Sequence, residues 1–181
     1  MEHDADILIV GGGLNGPALG LALAQGGLRV TVIDARPAPA RAELGFDGRA
    51  YALAIASKNL LAAVGVWPAL QGKVQPIRQI KTSDGRPGQA PAPFFLTFDA
   101  AELEEGPMGF MVEDRHLYAA FLEALTAAPG VTLVSGETVT GQEVTAQGVA
   151  VTLGSGRVLR GRVLVGCDGR ASGVAARAGI K

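Results

Sequence analysis

Two short apolar runs, each of strand length, open the chain. Asp6 to Val10 leads into glycines, and Arg29 to Asp34 follows a segment with helical spacing, Leu14 to Gln25. Short runs rich in Ile and Val are typical of strands buried on both faces of a parallel sheet. Gly26-Gly27 can end the helix between them. The pattern therefore predicts a βαβ unit with a short, glycine-rich first turn.

Further helices and short strands follow. We expect a helix over Ser57 to Val64, capped by Ser57, and a longer one over Asp114 to Ala128 with an apolar stripe. We expect a last short helix over Ser172 to Ala178. The mixture predicts an α/β fold: a Rossmann-like βαβ unit with a parallel sheet, plus part of a second, mixed β-sheet. The further strands are expected at Ile77 to Thr82, Phe94 to Asp99, Val131 to Val134, Glu137 to Thr145, Val149 to Leu153 and Val158 to Val165.

Composition excludes several classes of protein. The 181 residues are 48% hydrophobic and carry a net charge of -1, which excludes a disordered polymer and a nucleic-acid binder driven by bulk charge. One cysteine excludes a disulfide scaffold and fits a reducing compartment. The acidic N-terminus lacks the basic start of a secretory signal, and no window offers the roughly 20 apolar residues of a membrane span. We expect a cytoplasmic protein, and contact with the surface of the inner membrane stays open.

The first turn carries a dinucleotide-binding fingerprint. Gly11 to Gly16 matches G-x-G-x-x-G, directly follows a predicted buried strand and opens a predicted helix. Gly11 would permit the tight turn, Gly13 the approach of a pyrophosphate, and Gly16 the close packing of helix on strand. The helix start would present its amides and positive dipole end to the phosphates.

An acid follows at the expected distance. Asp34 lies 21 residues beyond Gly13, at the end of the second strand. There it can accept hydrogen bonds from a ribose diol and disfavour a 2′-phosphate, which predicts FAD or NAD rather than NADP. The alternative is a glycine-rich turn with a solvated aspartate. The agreement of strand, turn, helix, second strand and acid favours the nucleotide site.

Other polar positions are less specific. Asp168-Gly169 after an apolar run is either part of the site or an ordinary turn before a helix. Arg49 could pair with a phosphate or be a solvated turn residue, and Arg115 is an unexpected cation in the first turn of a helix. No catalytic residue and no metal site is predicted, because two histidines and one cysteine form no zinc motif and no G-x-S-x-G elbow is present. Reactivity would come from a bound cofactor.

Four segments stand in a characteristic order: Asp6 to Arg36, Asp47 to Leu53 before a helix ending Val64 to Trp67, Gly109 to Leu117, and Cys167 to Ser172. Together they resemble the flavin-dependent aromatic hydroxylases, the group of para-hydroxybenzoate hydroxylase. Within that group the likeness is greatest to ubiquinone-biosynthesis hydroxylases that act on polyprenyl phenols. The resemblance extends over the whole chain. One departure is Ala175, where the family commonly has an arginine three residues after the serine of its Asp-Gly motif.

The resemblance implies FAD as cofactor and a set of residues that bind it. The backbone of the glycine turn would surround the pyrophosphate, and the end of the second strand would contact the adenosine. Two arginines would contact the phosphates and the ribityl chain. The Asp-Gly motif would support FAD and is tied to NAD(P)H in the group. The implied residues are Gly11, Gly13, Leu14, Asn15 and Gly16 at the turn, Asp34, Ala35 and Arg36 at the adenosine, Arg49 and Arg115 at the phosphates and ribityl chain, Val139 at the adenine, and Asp168 and Gly169.

The implied activity is an aromatic hydroxylation in which NAD(P)H reduces the flavin and O2 supplies the oxygen. Residues 1–75 would form the FAD-binding βαβ unit and following helix, 76–113 part of the substrate region, and 114–181 the remainder of the FAD-binding domain. Family members continue with a Gly-Asp motif, so we expect an N-terminal portion that is inactive alone and self-associates through uncovered apolar faces. Association with a membrane or a biosynthetic complex stays open.

Two alternative hypotheses about the function stay open. One is a nucleotide-binding module without catalysis. The other is a related flavoenzyme such as a polyprenyl reductase or a halogenase, the latter disfavoured because no W-x-W-x-I-P segment is present.

Overall fold

The computed structural model describes residues 3–38, 45–90, 95–104 and 106–180, which form three β-sheets with helices packed on the largest. The helices are α1 (Asn15–Gln25), α2 (Ile55–Ala63), α3 (Asp114–Ala127) and α4 (Gly173–Arg177). The strands are β1 (Ala5–Val10), β2 (Val30–Asp34), β3 (Ala50–Ala54), β4 (Val74–Ile77), β5 (Gln79–Ser83), β6 (Phe95–Asp99), β7 (Gly109–Glu113), β8 (Val131–Ser135), β9 (Val139–Thr145), β10 (Gly148–Leu153) and β11 (Val158–Gly166).

The main sheet has six strands in the order β8-β2-β1-β11-β10-β9. Its first four strands are parallel, so their carboxyl ends meet at one edge. All five residues of β2 are buried, as its continuous apolar run predicts for a central strand of a parallel sheet. The predicted βαβ unit is therefore present as β1, α1 and β2.

The other two strands of this sheet are antiparallel. β11 pairs with β10, and β10 with β9. Val149, Val151 and Leu153 alternate inward along β10, which is typical of a sheet with one solvated face. The main sheet is therefore mixed, and the predicted strands of residues 137–165 belong to it.

Helices α1 and α3 cover one face of the parallel strands. Leu21 of α1 and Leu117 and Phe121 of α3 are buried in a core that also contains Ile9 and Val32 of the sheet. An ideal Cβ on Gly20 of α1 would lie 3.1 Å from the Val32 side chain, so the glycine allows close approach of helix and sheet. This packing fixes where the start of α1 sits relative to the strand ends.

The two smaller sheets are antiparallel. β3, β7 and β4 form one of them, and β5 pairs with β6 in the other. The predicted strand Ile77 to Thr82 is wrong as one element, because β4 ends at Ile77 and pairs with β7, whereas β5 starts at Gln79 and pairs with β6. Phe94, the first residue of the next predicted strand, lies outside the described residues.

The prediction that Ser57 caps the second helix is also wrong. β3 runs straight into α2, so Ala54 takes the cap position and Ser57 lies inside the first turn. Strand β3 itself was not predicted. Within the described ranges, no helix has both the length and the apolar character needed to cross a membrane.

Candidate nucleotide-binding site

A cleft of about 450 Å3 opens where the parallel strands end. Open α/β sheets bind ligands outside the carboxyl ends of their strands, and this cleft has that position. We call it the crevice. Its walls come from the segments that follow β1, β2, β8 and β11, joined by Arg49 and the start of α4. It is lined by Val10, Gly11, Gly12, Gly13, Ile33, Asp34, Ala35, Arg36, Arg49, Glu137, Thr138, Val139, Cys167, Asp168, Gly169, Gly173 and Arg177.

The glycines of the first turn have different structural roles. Gly11 has φ +110°, and a Cβ there would overlap the carbonyl of Cys167 on the neighbouring turn. A Cβ on Gly16 would overlap the carbonyl of Gly11. A Cβ on Gly13, by contrast, would meet no described atom within 4 Å, although Gly13 lines the crevice. The fold therefore requires glycine at positions 11 and 16, whereas the space beside Gly13 is open to the crevice.

The start of α1 suits an anion. Leu14 occupies the cap position, and among the described residues no side chain caps the first turn and no acid lies in it. The first amides of a helix carry a partial positive charge and need partners. A phosphate in the crevice would supply them.

Asp34 forms part of the crevice wall. The residue is 8% exposed, its Oδ1 accepts a 2.7 Å hydrogen bond from the amide of Arg36, and its carboxyl lies against Gly12. A Cβ on Gly12 would overlap that carboxyl, so the glycine permits the contact. The amide of Glu137 donates to the Asp34 carbonyl at 3.1 Å and ties the end of β2 to the turn after β8. The acid is therefore held in place by its neighbours on three sides.

Arg49 reaches the crevice from the residue before β3. Its Nη2 lies 2.6 Å from Asp47 Oδ2 and 3.1 Å from Asp114 Oδ2. The hydrogen bond between Arg49 and Asp47 raises the pKa of the guanidinium and lowers the pKa of the Asp47 carboxyl. The guanidinium is thus a fixed cation at the rim of the crevice.

Asp168 accepts hydrogen bonds at the start of helix α4, whose N-cap residue is Ser172. Its Oδ1 accepts from Ser172 Oγ at 2.5 Å and its Oδ2 from the amide of Val174 at 3.1 Å, while Ser172 Oγ accepts from the amide of Ala175. Burial alone would raise the pKa of Asp168, but the hydrogen bonds from Ser172 and Val174 outweigh burial and lower it. The Asp-Gly motif therefore holds the turn after β11 in shape.

Cys167 sits between the two turns. Its amide donates to the Val10 carbonyl at 2.7 Å, and burial, followed by the nearby Asp168 charge, raises the pKa of the thiol. It links the ends of β1 and β11 at the floor of the crevice.

The structure brings most, though not all, of the sequence-predicted site residues to the crevice. Asn15 is exposed at the start of α1, Leu14 packs on the core, and Gly16 lies under Gly11. Arg115 points elsewhere: its Nε donates to Glu113 at 2.6 Å, and its guanidinium lies 5.9 Å from the ring centre of Phe46. The predicted residues that line the crevice are Gly11, Gly13, Asp34, Ala35, Arg36, Arg49, Val139, Asp168 and Gly169.

Several lining residues were missed by the sequence reasoning. Glu137 and Thr138 follow β8, Cys167 follows β11, and Gly173 and Arg177 belong to α4. The first three follow parallel strands and so lie at the edge that carries the crevice, a signal that becomes readable only once the strand order is known. Arg177 had no such signal, because its side chain reaches the crevice by running back along helix α4 towards Gly173.

The crevice fits an adenine dinucleotide. It combines an uncapped helix start, an open backbone wall at Gly13, an acid at the end of β2 and three arginines in its lining, Arg36, Arg49 and Arg177. The amides and the cations match a diphosphate, and the carboxylate matches a ribose diol. These features define the class as a dinucleotide-binding α/β protein.

Comparison with known proteins agrees with this class of protein. The chain belongs to the FAD-binding domain family, whose model matches residues 4–181. It is 44% identical to the ubiquinone hydroxylase UbiL of Rhodospirillum rubrum over 97% of this chain and 40% of that protein. It is 39% identical to the 3-demethoxyubiquinol 3-hydroxylase of Escherichia coli over 99% of this chain and 45% of that protein. The chain thus spans less than half the length of these relatives.

Among solved structures, the Diels-Alderase PyrE3 of pyrroindomycin biosynthesis matches with a TM-score of 0.76 and 26% identity, over 97% of this chain and 34% of that chain. The same domain fold therefore occurs in a protein with a different named activity. Fold alone does not fix the reaction.

Proposed function

We propose that this chain is the FAD-binding part of a flavoprotein monooxygenase that hydroxylates a polyprenyl phenol in ubiquinone biosynthesis, with NAD(P)H and O2. The observation that carries the proposal is the open wall at Gly13 beside the Asp34 carboxyl. The names of the two relatives supply the reaction class. The whole reaction would need the parts of the relatives that this chain does not span.

We assign roles to the residues around the crevice. Gly11, Gly13, Gly16 and the start of α1 at Leu14 and Asn15 would hold the diphosphate. Asp34 would accept hydrogen bonds from the adenosine ribose, with Ala35 and Arg36 beside it, and the backbone of Val139 would face the adenine. Arg49 would pair with the diphosphate. Asp168 would keep Gly169 against the cofactor through its hydrogen bonds with Ser172 and the amide of Val174. Arg115 would take part only if it leaves Glu113.

Bound FAD would supply the redox chemistry and O2 activation. The chain's own residues bind the cofactor, orient it and exclude water from its phosphates. No acid–base role is assigned to any residue. We keep the division into residues 1–75, 76–113 and 114–181 as a proposal, with the exposed hairpin of β5 and β6 as part of a substrate region.

Uncovered apolar surface supports self-association of this chain. Val144, Val163 and Ile180 are exposed around a groove of about 550 Å3 between the antiparallel strands and α4. Surfaces of this kind favour association. A cytoplasmic location with contact to the inner membrane or to a biosynthetic complex belongs to the same proposal.

A titration tests the proposal directly. FAD added to the purified chain should bind at one site, with a change in flavin fluorescence and heat measurable by calorimetry, and ADP should compete. FAD that stays unbound at micromolar to millimolar concentration would contradict the assignment.

A nucleotide-binding module without catalysis is the second candidate. The observation in its favour is that the crevice is built from groups suited to adenosine and diphosphate. The two candidates differ in selectivity. Tighter binding of FAD than of ADP supports the flavoprotein, and equal affinity supports the module.

A further inference from the structure

Asp114 is a buried acid next to the crevice. It is the first residue of α3, and its side chain is 5% exposed. Its Oδ1 accepts a 2.9 Å hydrogen bond from the hydroxyl of Tyr51, and its Oδ2 lies 3.1 Å from Arg49 Nη2. A buried carboxylate needs such partners, because an uncompensated charge in the interior is strongly destabilising.

Rigid strands bring these groups together. β3 and β7 pair with Ala50 opposite Glu113 and Tyr51 opposite Val112. The amide of Asp114 also donates to the Arg49 carbonyl at 3.0 Å. Asp114 and Arg49 are therefore fixed to each other by backbone as well as by side chain.

A second acid holds the same guanidinium differently. Asp47 Oδ2 lies 2.6 Å from Arg49 Nη2 and accepts from its Nε at 2.8 Å. The Asp47 side chain is 41% exposed, in the loop before β3. Asp114 is buried and directly follows the paired strand β7, whereas Asp47 is exposed and contacts the Nε and Nη2 atoms of the guanidinium.

We infer that Asp114 is a positioning residue, which holds the Arg49 guanidinium at the crevice for an incoming diphosphate, and that Asp47 competes with that diphosphate for the same guanidinium. The inference rests on the proposed function, in which Arg49 pairs with the FAD diphosphate. Asp47 contacts Arg49 Nε and Nη2, which form one of the two edges through which a guanidinium can pair with a phosphate in fork geometry. Asp114 contacts the guanidinium through one oxygen and can keep its contact.

The two acids are predicted to have opposite effects on binding. If charge alone mattered, removing either carboxylate near an anionic ligand would tighten binding. With Asp114 as the positioning group, Asp114→Asn should weaken FAD and ADP binding about tenfold, the scale of one charge-assisted hydrogen bond. Asp47→Asn should make binding tighter, because the competing carboxylate charge is removed. Equal or tighter binding by Asp114→Asn, or equal or weaker binding by Asp47→Asn, would overturn the inference.

A double-mutant comparison separates positioning from general stability. The dissociation constants of FAD and ADP are measured by calorimetry for wild type, Asp114→Asn, Arg49→Met and the double variant. The Asp114→Asn effect should vanish when Arg49 is already absent. Adenosine, which has no phosphate, should bind wild type and Asp114→Asn equally. An undiminished Asp114→Asn effect in the Arg49→Met background would show that the acid acts by another route.

Tyr51→Phe provides a second variant should Asp114→Asn fail to fold. It removes only the hydroxyl that orients Asp114, so ADP affinity should fall a few-fold, again only when Arg49 is present. Unchanged ADP affinity in Tyr51→Phe would count against the inference. Wild-type protein that binds neither FAD nor ADP would refute the proposed function itself, and the inference with it, whereas normal wild-type binding with an unaffected Asp114→Asn would refute the inference alone.

Discussion

Gly13→Val tests whether the open space beside the first turn belongs to a ligand. A Cβ at Gly13 meets no described atom within 4 Å, and Gly13 is not among the glycines with positive φ. Valine should therefore be accommodated by the ligand-free fold. The free energy of unfolding should change by no more than about 0.5 kcal/mol, as at an unconstrained surface site.

The effect on binding should be much larger. The added methyl groups would fill the space where the diphosphate would approach the backbone of Gly11 to Gly13. That wall is main chain, which cannot rotate away as a side chain could. Overfilling a packed site typically costs about 1–3 kcal/mol, which corresponds to FAD binding weakened by about 5- to 150-fold.

Gly16→Ala is the matched control. A Cβ on Gly16 would overlap the Gly11 carbonyl, so the backbone must shift and stability should fall by about 1–3 kcal/mol. Thermal unfolding without ligand and FAD titration by calorimetry should separate the two variants. The valine variant should keep its Tm and lose affinity, while the alanine variant should lose several degrees of Tm. Wild-type FAD affinity in Gly13→Val would refute the reasoning, because no diphosphate could then lie against that turn.

Three further predictions follow from the geometry of the crevice. Asp34→Ala should weaken FAD binding by about 1–3 kcal/mol, measured by calorimetry, through loss of charge-assisted hydrogen bonds. A change of less than about fivefold in the affinities for both FAD and AMP would argue against a ribose contact. Because hydrogen bonds lower the pKa of Asp168, its stabilising effect is present above the ordinary value of 3.8 and is lost as the pH falls through the lower folded value. The free energies of unfolding of wild type and Asp168→Asn should therefore converge in acid. A constant difference between them across the pH range would contradict a stabilising role of the Asp168 carboxylate at the start of α4. Burial raises the pKa of Cys167, so iodoacetamide should alkylate its thiol slowly near neutral pH, and more slowly still when ADP is present. An alkylation rate that ADP leaves unchanged would place the nucleotide elsewhere.

The βαβ unit could be predicted because each of its signals is local. Strands β1 and β2 are continuous apolar runs, and the helix between them is bounded by glycines. Strand β3, with the sequence Ala50–Ala54, could not be predicted in the same way. Alanine is a weak strand former, and β3 is stabilised by pairing with β7, which lies far along the chain. Its existence depends on a contact that the local pattern does not contain.

The site was predictable to the extent that its residues follow the parallel strands. Gly11 and Asp34 occupy strand ends, and the crevice includes both. Glu137 and Cys167 occupy the equivalent places after β8 and β11, but those strands could be aligned with β1 and β2 only once the strand order was known. The order of strands in a sheet is a tertiary property, and the sequence pattern constrains it weakly.

Arg177 shows why spacing along a motif can differ from position in space. The family resemblance places an arginine at position 175, where this chain has alanine. Arg177 lies one helical turn beyond Gly173, so the two residues share a face of α4. An ideal Cβ on Gly173 would lie 2.9 Å from Arg177 Nη1, so the absence of a side chain at Gly173 leaves room for the guanidinium to fold back to the crevice. A hydrogen bond of 3.2 Å from Arg177 Nε to Gln142 Oε1 holds it there. The guanidinium of Arg177 thus reaches the crevice because the residue four positions earlier is a glycine. A search for an arginine at one fixed position of the motif would not find this arrangement.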